Sequence, residues 1–280
     1  MQSKRYKKSS SIIAKRNKVR RVFTLSLKIG LPVIFLVGFV FVLRADFLQV
    51  KNFKVVGEVG VSVKDVQKSA SDFISGNKLF VIPKSNIFLL NKGKMAAALI
   101  ANFSRVEEVF INKQFLSSSI DIKIKERQAD YLWCSLNECF FMTKDGLVFE
   151  KAGFTKSDFL TSSVSWAEPL NKLIFEGKLE GEPIMKSFAT SERMQNYLRM
   201  VKTFKDAGFE IISINIESTG KATAKSNLGD IIFNPEEIDL SLIAQNAILL
   251  INDAKTKNPS TKFNYIDTRF GNKIFYKLVQ

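Results

Sequence analysis

Apolar and polar positions follow three rhythms along this chain. From Val22 to Leu43 the sequence VFTLSLKIGLPVIFLVGFVFVL is apolar almost without interruption, and the 21 residues before it carry nine Lys or Arg and no acid. At about 1.5 Å per residue this run spans about 33 Å as a helix, enough for a hydrocarbon core of roughly 30 Å. The basic flank predicts a single membrane span with its N-terminus in the cytoplasm and everything after Arg44 exported. Lys28, inside the run, lies near enough to the basic end for its stem to return the ammonium to the headgroups. Gly30 and Pro32 are tolerable, because a membrane helix can re-satisfy a freed carbonyl locally. A cleaved signal peptide is the rival. The following segment VLRADFLQV lacks small residues where a signal peptidase reads, and the run is longer than an ordinary signal core. Arg20-Arg21 also touches the twin-arginine pattern, a cheap coincidence in so basic a tail.

About 236 residues follow Arg44, enough for two compact domains, with no Gly/Ser or Pro-rich linker between them. Phe53 to Gly57 has strand composition and ends in a glycine turn. Ser62 caps a helix whose apolar positions Val63, Val66, Ala70, Phe73 and Ile74 share one face, stopped by Gly76 at the C′ position. After a loop through Leu79, Phe80, Ile82 and Pro83, an Ala- and Leu-rich helix runs from Lys94 to about Asn102. Val106 to Lys113 reads as a strand. Ile120, Ile122 and Ile124, with polar or charged residues between them, mark a strand with one buried and one wet face. Two helices over a small three-stranded sheet is the economical packing, an α+β module in the order β-α-α-β-β.

The remainder predicts a mixed sheet with flanking helices. Strands at 129–134 and 139–143 lead to a Lys144-Asp145-Gly146 turn and then Leu147 to Phe149. Residues 150–188 are the least legible. Ser191 caps a helix to Ala207 closed by Gly208, with Met194, Tyr197, Leu198, Val201 and Phe204 on one side. Strands follow over 209–217, 221–226 and 230–234. Asp239 opens a helix with the stripe Leu240, Ile243, Ala244, Ala247 and Ile251, ended before Pro259. Phe263 to Phe270 and Lys273 to Leu278 form a hairpin about Gly271-Asn272. The organisation expected is a basic cytoplasmic tail (1–21), a transmembrane helix (22–43), a first domain (44–125) and a second, β-rich domain (126–280).

The formal charge of +15 changes this picture little, because residues 1–28 hold ten of the basic groups and no acid. What remains is 32 against 27, or +5. The cationic cluster therefore reports membrane topology and anionic lipid rather than nucleic acid. With no histidine, Ser-His-Asp and Cys-His catalysis and His-ligated zinc are excluded, and two cysteines cannot make a four-thiolate site. No metal or cofactor is expected. Ser75 with Lys78 and Ser218 with Lys221 match S-x-x-K, but the accompanying S-D-N and K-T-G elements are missing, and both read as turns. Cys134 and Cys139 flank a short connection between two β-rich runs. A hairpin there would set them face to face, which favours a disulfide over two buried thiols in an exported domain.

Five motifs in order resemble a known family: Phe53-x-Val55 to Gly57; Gly76-x-x-Leu79-Phe80; Val106 to Ile111 followed by Ile120-x-Ile122-x-Ile124-x-Glu126-Arg127; Asp145-Gly146-x-Val148-Phe149; and Tyr265-Ile266-Asp267-Thr268-Arg269-Phe270. Behind a basic tail and one span, this set resembles the FtsQ/DivIB family of bacterial cell-division proteins. The resemblance covers nearly the whole chain and implies that residues 44–125 are a POTRA domain. Thr268 departs from the family's usual Leu, and Cys134 and Cys139 lie outside its pattern.

With no catalytic constellation in view, function is expected in surfaces. A terminal strand is often an edge whose free N–H and C=O groups can accept another chain. The resemblance implies such a use: capture of an FtsB-like bitopic protein, which travels with an FtsL-like one, and through them a link to septal peptidoglycan synthases at the division septum. The contact residues carried over are Phe270, Asn272, Lys273, Ile274, Phe275 and Tyr276. Alternation puts about half of such side chains in the core. Two other classes compete. A POTRA-bearing polypeptide-transport protein needs a long C-terminal barrel, and a wall-modifying enzyme needs a carboxylate pair, for example Asp145 with Glu150 or Asp267.

Overall fold

The computed structural model describes residues 26–57, 60–78, 81–135, 138–160, 173–271 and 273–279. Among these, one helix, α1 (Ser26–Leu43), is long and apolar enough to cross a membrane, and none of its side chains is buried against protein. Its 18 residues span about 27 Å. The basic tail and residues 22–25 lie outside the described residues, as do Leu79 and Phe80 of the second motif. The chain is α+β and divides into two units, Met1–Phe103 with Glu108–Lys125, and Ser104–Glu107 with Glu126–Gln280.

The first unit follows the β-α-α-β-β order. Its strands are β1 (Asn52–Val56), β4 (Val106–Gln114) and β5 (Ser119–Glu126), and its helices are α2 (Val63–Phe73) and α3 (Lys92–Asn102). A small ladder of β2 (Asn77–Lys78) with β3 (Ile82–Pro83) is inserted between the helices. β5 is central and runs parallel to β1, with Phe53 opposite Ile120 and Val55 opposite Ile122. The period-two isoleucines of β5 are buried, together with Val66 and Ala70 of α2 and Met95 and Leu99 of α3. Ser62 caps α2 by accepting from the Asp65 N–H, and Asn91 does the same for Lys94. Helix α2 ends at its cap Ile74, so Gly76 lies two residues past it rather than at C′. The Ser75 hydroxyl meanwhile ties off the Asp72 carbonyl.

The second unit holds ten strands among the described residues, in the order β10-β8-β7-β6-β9-β11-β12-β13-β14-β15. These are β6 (Tyr131–Ser135), β7 (Glu138–Met142), β8 (Leu147–Lys151), β9 (Ile174–Gly177), β10 (Lys186–Ser187), β11 (Ile211–Ile216), β12 (Ala222–Ser226), β13 (Gly229–Phe233), β14 (Phe263–Phe270) and β15 (Lys273–Leu278). The helices are α4 (Lys156–Leu160), α5 (Ser191–Asp206) and α6 (Leu240–Lys257). Parallel neighbours need a crossover, and the two long helices supply two of them: α5 joins β9 to its parallel neighbour β11, and α6 joins β13 to its parallel neighbour β14. Both helices pack together over one main core, in which Met194, Tyr197 and Phe204 of α5 and Leu240, Ala244, Ala247 and Ile251 of α6 are buried.

Strand β6 divides its side chains between two clusters. Trp133 joins that main core, while Leu132 and Cys134 join Cys139, Ile174 and Phe159 of α4 in a second one. The cap of α5 is Thr190, whose hydroxyl accepts from the Arg193 N–H; Ser191, expected in that role, is the first helical residue and donates to Asp145. Asn196, buried in α5, fastens the start of α6 by donating to the Glu237 carbonyl at 2.9 Å and accepting from the Leu240 N–H at 3.3 Å.

Candidate partner-binding edge

The candidate site grows from the topology of the last hairpin. Strand β14 has β13 on its inner side, so the strand that turns back after Gly271 can pair only outside it. β15 therefore ends the sheet among the described residues, six residues long, whereas the opposite end, β10, has two. A strand end of that length offers a row of backbone donors and acceptors to another chain.

The hairpin is irregular in one place that matters. Asp267 pairs with Phe275 and Phe270 with Lys273, so β14 carries one extra residue between them, and a second register shift falls between Phe263 and Tyr265. Such bulges bend and twist the strand and re-aim its side chains. Phe270 consequently meets Phe275 edge-on, ring centroids 5.0 Å apart, while Tyr276 meets the buried Phe263 at 5.8 Å.

Alternation predicts about half of the β15 side chains in the core, and the structure corrects this. Ile274 packs against the main core, but Phe275 and Tyr276 are each about half exposed, as is Phe270, and Lys273 is exposed. The reason is geometric: α6 packs on β14, one strand inward, and a side chain beyond the helix layer has little to be buried against. Asn272 lies outside the described residues.

The electrostatics behind the edge come from β14. Arg269 grips the Asp267 carboxylate through Nε at 2.9 Å and Nη2 at 2.7 Å, and its own backbone N–H donates to the same carboxylate at 3.2 Å. Burial works to raise the Asp267 pKa, but the hydrogen bonds and charge of Arg269 outweigh it and hold the carboxyl below its ordinary value. Arg269 also lies over the Phe270 ring, 5.6 Å from its centroid. Between them Thr268 is buried, and its hydroxyl donates to the Ile232 carbonyl at 2.9 Å. The β13/β14 pairing ends at Ile232 opposite Asp267, so Thr268 extends it by a side chain where Leu could not.

Composition and periodicity alone do not predict these polar contacts. An Asp and an Arg two apart in a strand is the signal that could have revealed the fork, since such residues share a face. The Glu126-Arg127 motif has a similar explanation. Glu126 is buried and accepts from Arg105 Nε at 2.8 Å, and Arg127 donates to the Ser104 carbonyl at 3.0 Å.

The carboxylates considered for catalysis are each held by a different partner. Asp145 accepts from Ser191, Glu150 from Arg105 at 2.6 Å and Asp267 from Arg269. The β7/β8 turn that carries Asp145 lies six to seven strand spacings from β14, which carries Asp267, roughly 30 Å at about 4.8 Å each. A glycosidase-type pair needs a separation of about 5–9.5 Å. Lys221, of the second S-x-x-K match, donates to Glu217 at 3.0 Å, and that bond heads the causes holding the Glu217 carboxyl below its usual value. An ammonium so engaged is a poor general base. Cys134 and Cys139 are directly opposite in the β6/β7 pairing with Cα atoms 4.1 Å apart, and their sulfurs are bonded.

No family model matches the chain. Cell division protein DivIB of Clostridium tetani (strain Massachusetts / E88) is 25% identical over 235 residues, which cover 83% of this chain and 81% of that protein. This distant similarity agrees with the resemblance of the five motifs to the FtsQ/DivIB family. One apolar N-terminal helix followed by an α+β part is consistent with FtsQ/DivIB topology.

Proposed function

We propose that this protein is a membrane-anchored scaffold of the bacterial cell-division machinery that works by binding other proteins rather than by catalysis. Its basic tail lies in the cytoplasm, residues 22–43 span the membrane, and residues 44–125, read as a POTRA domain, and 126–280 face the opposite side at the division septum. Strand β15 receives an extended segment of an FtsB-like protein, with an FtsL-like protein in the same complex, and the assembly is thereby held near septal peptidoglycan synthases. The observation that carries this reading is the six-residue edge strand β15, with no strand paired outside it among the described residues and with Phe270, Phe275 and Tyr276 half-exposed beside it. Backbone pairing would supply affinity and the aromatic side chains selectivity.

The test is co-purification of the full chain with the FtsB-like protein of the same genome, repeated after truncation at Gly271. Truncation is expected to abolish capture. Phe270→Ser and Phe275→Ser, which alter exposed side chains and leave the core intact, are expected to weaken it about tenfold each. Capture that survives both the truncation and the two substitutions would refute the edge mechanism.

A further inference from the structure

The C-terminal end of α1 is built into the first unit by side chains, and this places a second apolar surface beside the end of that helix. The Leu43 carbonyl, which has no partner within its own helix, accepts from Gln49 Nε2 at 3.0 Å and from Asn86 Nδ2 at 2.8 Å. Asn86 is fully buried, and its Oδ1 accepts from the backbone N–H groups of Phe88 and Leu89. Phe88 stacks on Phe115 with ring centroids 4.9 Å apart, and Lys113 reaches the Phe88 carbonyl at 3.4 Å. The circuit closes through Ser118, whose hydroxyl donates to the Phe47 carbonyl at 2.7 Å, four residues past the helix end.

Within this circuit the apolar side chains face outward. Phe47 is 65% exposed, Phe88 60% and Phe115 51%, with Leu89 about half exposed and Leu116 wholly so. Aromatic and aliphatic groups in such number on a soluble face mark a docking surface. The segments that carry them, 44–51, 84–94 and 109–118, hold six basic residues and one acid, Asp46. Burial, and the charge of nearby Lys92, both lower the pKa of Lys113, so an anion at this point would relieve a crowded pair of cations.

We propose that Phe47, Phe88, Leu89, Phe115 and Leu116 dip into the bilayer interface around α1 while Lys84, Lys92, Lys94 and Lys113 bind anionic phospholipid headgroups, so that the first unit lies on the membrane rather than hanging free from it. This rests on the reading of α1 as a membrane span. The occupant is set by continuity: the circuit is hydrogen-bonded to the last carbonyl of that span. Interfacial aromatics with basic neighbours are the chemistry of a surface that lies in the headgroup layer.

The full chain, its two native cysteines bonded to each other, accepts a single added thiol for labelling. Leu116→Cys and Phe88→Cys carry an environment-sensitive fluorophore at the proposed contact. Ala101→Cys carries it at the far end of α3, about 14 Å along the axis from Lys92. Phe35→Cys reports the span itself. In vesicles of phosphatidylcholine and phosphatidylglycerol doped with a nitroxide lipid labelled near the headgroup, the labels at 116 and 88 are expected to be quenched at least about twice as strongly as that at 101. Replacing Lys84, Lys92, Lys94 and Lys113 by Gln, or omitting phosphatidylglycerol, is expected to reduce the difference by about half. Equal quenching at 116, 88 and 101, with a deep nitroxide still quenching 35, would overturn the proposal and leave the span intact. Loss of quenching at 35 would overturn both. Quenching unaffected by removal of phosphatidylglycerol would overturn the assignment of the lysines to anionic headgroups.

Discussion

Arg269 holds the carboxylate of Asp267 from two positions further along the same strand, with both oxygens engaged and the two groups on one face of β14. The Asp267 side chain is 9% exposed and that of Arg269 34%. The carboxylate is thus nearly removed from water, and its ionised form persists because a guanidinium fork replaces the lost hydration. This pair lies in the strand that carries β15.

Removing the fork should be costly. Arg269→Ala would leave a buried carboxylate with little beyond a backbone N–H, and is expected to destabilise the second unit by about 2 kcal/mol, kept low because the arginine is a third exposed. Urea unfolding of the full chain followed by tyrosine and tryptophan fluorescence measures this. The folded-state pKa of Asp267 lies below its unfolded value, so its contribution is present above about pH 4 and is lost as pH falls through the lower folded value. Arg269→Ala should therefore flatten the acid limb of the stability curve.

Tyr197 predicts the alkaline limb. Burial in the main core pushes its phenol up to about 12, with Arg193 acting downward and Glu236 upward. A raised folded pKa means that the unfolded chain loses its proton first. The stabilisation is complete below about pH 10 and is lost as pH rises to about 12, at most about 3 kcal/mol for a shift of about two units. Tyr197→Phe should abolish that part of the pH dependence in the same unfolding assay.

Gly229 opens β13 where no side chain fits. Its φ is +132°, and an added Cβ would lie 2.2 Å from the Phe263 carbonyl oxygen, a backbone atom of β14. Gly229→Ala is expected to cost more than about 2 kcal/mol and to disturb the β13/β14 pairing that supports the edge. Lowered thermal midpoint together with weakened capture of the FtsB-like protein is the expected result.

The disulfide closes a loop with a sequence separation of only five, so chain entropy assigns it about 2 kcal/mol. Reduction should lower the unfolding free energy of the second unit by that amount, read as an earlier urea transition. Strand β6 lies six strand spacings from β15, so capture at the edge should be unaffected by reduction.

Local rules recovered the elements whose signal is complete within a few residues. Ser62 and Asp239 cap the helices they were expected to cap, and the isoleucines of β5 alternate as their period requires. Strand β9 was missed in the illegible stretch 150–188, because Leu173-Ile174-Phe175 is a short apolar run with no alternation to distinguish strand from buried helix. It is central and buried on both faces, and its parallel neighbours make it the strand from which α5 crosses over. Ser191 was displaced from its expected role by Thr190, since two adjacent hydroxyl residues are equivalent until the chain's direction into the helix is fixed.

The linear chain already specifies the apolar span, the charge asymmetry beside it, the α+β order of the part that follows and the residue types available for chemistry. These depend on composition and on periodicities of two and 3.6, which a linear string contains in full. Tertiary structure decided which strand ends the sheet, that Arg269 would grip Asp267 rather than solvent, and that most β15 side chains lie outside the core. Each of these depends on which distant segments become neighbours. That is set by the crossovers of α5 and α6, and no local window of residues holds both partners of such a contact.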